Sequence, residues 1–213
     1  MRAKTIACRP DVGRNLIALS FDDGPGEWTE PILEILRAES VPATFFVIGE
    51  AVVLRESVLA ATYAEGHEIG NHTLTHARLP PLSRKEIRHE LTATADIVEA
   101  AIGQRPTVFR PPYLDVSWRV RSVAHSCGYD TAVLASAWAK DWVLDSPEPI
   151  VARVLEMAAQ GGIIDLHDGR PPRSADSVSR PDRWPTVRAV REIVPKLLDR
   201  GYEFVTVSQL LAA

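Results

Sequence analysis

The chain repeats one pattern, a short run of β-branched or aromatic residues followed by a longer amphipathic stretch. Leu16 to Phe21 reads as a strand and Thr29 to Glu39 as a helix. Thr44 to Ile48 precedes a helix over Val52 to Glu65, and His67 to Gly70 precedes a long helix from Ser83 to Ile102. Val108 to Arg110, Thr131 to Leu134, Gly162 to Leu166 and Glu203 to Thr206 read as later strands, with helices over Ser117 to His125, Pro149 to Gln160 and Thr186 to Asp199. Repeated β-α units require parallel strands covered by helices, because only a crossover returns the chain to the same end of a sheet. Seven or so strands fit either an open doubly wound sheet or a closed or nearly closed barrel, and periodicity alone does not choose. At 213 residues and 46% hydrophobic, one domain over 1–213 is expected. The Pro-rich, charged stretch from Arg170 to Pro185 reads as a long loop, since a helix and a strand still follow it.

Charge narrows the partners. The 28 acidic and 24 basic residues are interspersed, net -4, so no basic stripe offers a footprint for nucleic acid or an anionic membrane. No stretch is apolar for long enough to span a bilayer. Met1 to Pro10 carries charge and no apolar run, unlike a secretory signal, so a cytoplasmic location is expected. Cys8 and Cys127 match no metal spacing and are expected to be unpaired thiols.

The chemistry-bearing residues fall after the strands. Asp22 and Asp23 end the first apolar strand, where adjacent side chains point in different directions, so one could bind metal while the other accepts a proton. The same Asp-Asp-Gly-Pro string also suits a plain turn. It places carboxylates where a nucleotide-binding fold would need glycines for phosphates, which disfavours a dinucleotide site. His72 and His76 stand four apart, a spacing that stacks two imidazoles on one helical face and suits a shared metal. Two imidazoles and one carboxylate leave positions open for water and substrate, the catalytic pattern. Arg110-Pro111-Pro112-Tyr113, Asp141-Trp142 and Leu166-His167-Asp168 also follow strands, and a strand-end histidine becomes a general acid if a carboxylate raises its pKa. In a parallel β/α fold those strand ends share one face, so five clusters can converge on one pocket.

Taken in order, Ser20-Phe21-Asp22-Asp23-Gly24-Pro25, His72-Thr73-Leu74-Thr75-His76, Arg110-Pro111-Pro112-Tyr113, Asp141-Trp142 and Asp165-Leu166-His167 resemble the five motifs of the polysaccharide deacetylase family, carbohydrate esterase family 4, the NodB homology domain. Val41 to Phe46 and Glu65 to Glu68 resemble it as well. The resemblance implies an α/β fold, a distorted (β/α) barrel of seven or eight mostly parallel strands. It also implies Asp22 as general base, and Asp23, His72 and His76 as ligands of a divalent metal, zinc first, with cobalt or another divalent ion as alternatives. His167 would be the general acid, with Arg110 orienting Asp22 and Asp141 pairing with His167. Trp142 would wall the pocket, the backbone N-H of Tyr113 would bind the oxyanion, and Pro111 and Trp138 would belong to the substrate-binding set.

Three positions depart from the pattern. Asp165 stands where the family usually has a leucine packed on the acetyl methyl, on the same strand face as His167. Leu114 replaces the usual glycine, and Trp138 stands where an acid is common. The expected activity is removal of an N-acetyl group from an amino sugar, an N-acetylglucosamine-type oligosaccharide or small glycoside. Alternatives are the same hydrolysis on an aminoacyl amide or a natural-product intermediate, hydrolysis of an acetyl ester, and a non-catalytic sugar-binding module. A buried Asp165 carboxylate needs a partner, either an internal one such as an arginine or a group on the substrate.

Overall fold

In a computed structural model, residues 1–172 and 182–213 are described. Residues 173–181 of the loop expected between Arg170 and Pro185 lie outside them. Eight strands are present among the described residues: β1 (Lys4–Ile6), β2 (Leu16–Gly24), β3 (Thr44–Val47), β4 (Glu68–Asn71), β5 (Thr131–Val133), β6 (Ala137–Trp138), β7 (Gly162–His167) and β8 (Glu203–Val205). Every ladder between them is parallel. The order β4-β3-β2-β7-β6 forms one sheet, β8 adds to β2 beside Leu16 to Ala18, and β1 pairs β5. Among the described residues no ladder joins β1 to β6, and a single antiparallel bridge, Cys8 to Gly162, crosses nearby.

β2 is buried at all nine positions and has neighbours on both sides, which explains its unbroken apolar run up to the two aspartates. Among the described residues eight α-helices cover the strands: α1 (Thr29–Glu39), α2 (Gly49–Leu54), α3 (Glu56–Ala64), α4 (Arg84–Ile102), α5 (Trp118–Ser126), α6 (Pro147–Met157), α7 (Trp184–Asp199) and α8 (Val207–Ala212). α4 starts at a capping box, Ser83 with Glu86, and stops at Gly103 with φ 70°, a left-handed conformation that glycine adopts without strain. Its stripe of Ile87, Leu91, Ala95 and Val98 is buried, as is that of Val187, Val190, Ile193 and Leu197 on α7.

Two expectations are corrected. The helix expected over Val52 to Glu65 is two helices, broken at Arg55, whose φ -144° and ψ 46° are not helical. The strand expected at Val108 to Arg110 shrinks to Phe109, which bridges Asn71 of β4 and Ala132 of β5. Pro106 and Pro111 flank this segment and have no N-H to extend a ladder. Phe109 thus ties the two sheets together and sets Arg110 at their shared C-terminal end. No helix among the described residues is long and apolar enough to cross a membrane.

Candidate active site

The C-terminal strand ends open into a cavity of about 430 Å³ lined by Asp22, Asp23, His72, His76, Tyr113, Leu114, Trp138, Trp142, Asp165, His167, Pro171 and Arg183. Strict alternation along β2 would send Asp23 to the face opposite Asp22. Instead the register against β3 slips between Asp22 and Gly24, and Asp23 takes φ 73°. The bulge turns both carboxylates into one cavity. Gly24 is needed beside it, because a Cβ there would lie 2.3 Å from an Asp168 oxygen.

His72 and His76 are not on a helix, contrary to the expectation from their spacing. They stand on a loop after β4 whose turns at Thr73, φ 72°, and His76, φ 61°, bring the rings to 5.1 Å between centroids. The loop is fixed from two sides. Glu90 of α4 accepts from the backbone N-H groups of Leu74 and Thr75, each at 2.9 Å, and from the Thr75 hydroxyl at 2.9 Å. The N-H groups of Gly49 and Glu50, opening α2, donate to the carbonyls of Thr73 and Leu74. Nothing in the local sequence around the histidines points to Glu90.

The three donors converge. Asp23 Oδ1 lies 3.2 Å from His76 Nε2 and 3.5 Å from His72 Nε2. His72 Nδ1 stands 2.9 Å from the Arg110 carbonyl, which can only accept, so Nδ1 carries the proton and Nε2 keeps its lone pair for the cavity. Burial pushes His76 down to about 4 despite the Asp23 charge, so its ring is neutral at pH 7. Asp23 Oδ1 is buried without a hydrogen-bond partner. An orphaned carboxylate oxygen facing two imidazole lone pairs fits a divalent cation, and three protein ligands leave a position open.

Arg110, fully buried, organises the next shell of charge. Its Nη1 donates to Ser20 Oγ at 2.9 Å, Asp22 Oδ1 at 2.8 Å and Asp165 Oδ1 at 3.1 Å. Burial would push Asp22 up, but the charge of Arg110, with that of His167 behind it, outweighs burial and holds Asp22 below the usual carboxylate range. Asp165 goes the other way, pushed up to about 7 by burial and then by the Asp22 charge. Asp22, Asp165 and His167 also cluster closely, but the guanidinium already supplies the cation there.

His167 is paired with Asp141, Nδ1 to Oδ1 at 2.8 Å. The other Asp141 oxygen accepts the His167 backbone N-H at 3.0 Å and the Thr186 hydroxyl at 2.8 Å. Burial opposes a charged His167 ring, yet Asp141 wins and raises it to about 10. Trp142 meets the His167 ring edge-on at 5.0 Å, and Trp138 stands beside Asp165 in the β6–β7 register. Tyr113 lies at 4.8 Å from the His76 ring. Tyr113 and Leu114 have φ 60° and 53°, so a leucine occupies a left-handed position that a glycine would take without the cost of about 1–2 kcal/mol. Pro111 is buried and outside the cavity lining, and its carbonyl closes the turn by accepting from Leu114 N-H. Arg110 and Asp141 also lie outside the lining and contact Asp22 and His167, which are part of it. Arg183 and Pro171 line the cavity without any sequence motif to announce them.

The polysaccharide deacetylase family model matches residues 9–132, which include the aspartate pair, both histidines and Arg110. The chain belongs to the polysaccharide deacetylase family. It is similar to the peptidoglycan-N-acetylglucosamine deacetylase of Bacillus cereus, 36% identical over 200 residues, 92% of this chain and 88% of that one. It is 37% identical over 203 residues to the chitooligosaccharide deacetylase of a Bradyrhizobium species, covering 93% of this chain and 91% of that one. A solved peptidoglycan N-acetylglucosamine deacetylase in complex with 4-naphthalen-1-yl-N-oxidanyl-benzamide matches with TM-score 0.88 and 28% identity, over 98% of this chain and 92% of that one. As a polysaccharide deacetylase the chain is a metal-dependent amide hydrolase, and its mostly parallel α/β fold is that of the distorted barrels of this family.

Proposed function

We propose that this deacetylase hydrolyses the N-acetyl group of an amino sugar of the N-acetylglucosamine type, with zinc, or cobalt in its place, held by Asp23, His72 and His76. The observation that carries the reading is the orphaned Asp23 oxygen beside two imidazoles in the same cavity as an ionised Asp22 and a protonated His167. The bound ion would supply Lewis acidity to the amide carbonyl and acidify water towards a pKa of about 7. Asp22, kept ionised by Arg110, takes the proton of the attacking water. The new C-O bond forms as the Tyr113 backbone N-H donates to the developing oxyanion. His167, charged through its pair with Asp141, gives its proton to the leaving nitrogen as the C-N bond breaks, releasing the acid and the free amine. Trp142 and Trp138 form walls for the sugar. A sugar-binding module without catalysis would have no need for the Asp22 and His167 pair.

The test is incubation of the metal-loaded protein with acetylated amino sugars of one to five units, read by mass spectrometry. Loss of one acetyl unit with zinc or cobalt, and none after chelation, is expected. No loss across the panel with a verified bound ion would overturn the reading.

A further inference from the structure

The acyl group can be specified further, on the basis that the N-deacylation reading holds. Asp22 and His167 are register partners on β2 and β7, and Ser20 and Asp165 form the rung two residues earlier, about 6–7 Å deeper along the strands. An amide carbon held between Asp22 and His167, with its sugar towards the cavity mouth, therefore aims its acyl substituent at Asp165. That residue is 4% exposed and lines the cavity, with Trp138 as its register partner on the far side. Its Oδ1 is engaged by Arg110, while Oδ2 has no hydrogen-bond donor among the described residues. A methyl group offers that oxygen nothing, and once substrate expels water the carboxylate is left short of a partner.

We infer that Asp165 selects an acyl group with a hydroxyl on the carbon next to the carbonyl, of the glycolyl type, whose O-H donates to Asp165 Oδ2. A hydroxyl suits the position better than an amine. Arg110 Nη1 already bridges Asp22 and Asp165, so a neutral donor completes the hydrogen bonding of Asp165 while an ammonium would stand beside the guanidinium that shares the same carboxylate. Hydrolysis then releases glycolate and the free amine with the same water and proton transfers.

The experiment compares fully N-acetylated chitotetraose with its N-glycolyl counterpart on the full, metal-loaded chain, wild type, Asp165→Leu and Asp165→Asn, measuring kcat/KM for each. The wild type is expected to favour the glycolyl substrate by about tenfold. Asp165→Leu should reverse the order by gaining on acetyl and losing on glycolyl. Asp165→Asn, which keeps the side-chain volume and so guards against a folding defect in the leucine variant, should shrink the preference. A glycolyl-to-acetyl ratio unchanged in Asp165→Asn, or a wild type that prefers acetyl, overturns the inference while leaving deacylation standing. A wild type that cleaves neither overturns deacylation and this inference with it.

Discussion

Asp141 holds His167 at two points, its Oδ1 2.8 Å from the ring Nδ1 and its Oδ2 accepting the backbone N-H at 3.0 Å. Ring orientation and ring charge therefore depend on one carboxylate. Because His167 is raised to about 10, the protonated acid persists through neutral pH and is lost only as the pH climbs towards that value. Replacing Asp141 by Asn removes the stabilising charge, so the alkaline limb of kcat/KM on an amide should move to lower pH, and turnover should fall about 10²- to 10⁴-fold. An alkaline limb that stays in place would remove Asp141 from this role. His167→Ala should harm amide cleavage more than cleavage of an activated ester, whose leaving group needs no proton.

Chelation should abolish turnover, with recovery on adding zinc or cobalt. His76→Ala removes one of three converging donors on a surface loop and should cut the bound metal sharply while leaving the thermal transition nearly unchanged. Metal content by elemental analysis is the readout, and wild-type content in the variant would contradict the ligand assignment.

Glu90 provides a test remote from the ligands themselves. It accepts three hydrogen bonds from the loop between His72 and His76, so Glu90→Ala should loosen that loop and weaken metal binding about 10- to 100-fold. Glu90→Gln, which keeps an acceptor, should recover part of the loss. Competition with a chromophoric chelator measures both, and equal affinity in all three proteins would show that the loop needs no such clamp.

The sequence made the strands and the motif residues legible because β2, β3 and β7 are buried centrally and carry near-continuous apolar runs ending in polar clusters. β6 escaped notice because a two-residue pairing leaves no periodicity to count, and β1, Lys4-Thr5-Ile6, because it carries a single apolar residue. α8 had a readable signal in the capping box of Thr206 with Gln209. The histidine spacing picked out two residues that the fold does bring together, but not by the expected geometry: two left-handed residues in a loop, not a helical face, bring His72 and His76 together. An internal partner for Asp165, such as an arginine, was one of the possibilities open in the sequence, and only the fold could place the Arg110 guanidinium between Asp22 and Asp165. Glu90, Thr186 and Arg183 reach the site from helices or beside one, far along the chain, where a local motif has no reach.

The central claim is that Asp22 moves the proton while Asp23, His72 and His76 hold the ion. Measuring bound metal and turnover on an N-acetylated chitooligosaccharide in one preparation of Asp22→Asn separates the two. The account predicts metal content equal to wild type and turnover lower by about 10²- to 10⁴-fold, because an amide cannot accept the proton of the attacking water. Wild-type turnover in a fully loaded Asp22→Asn would contradict it.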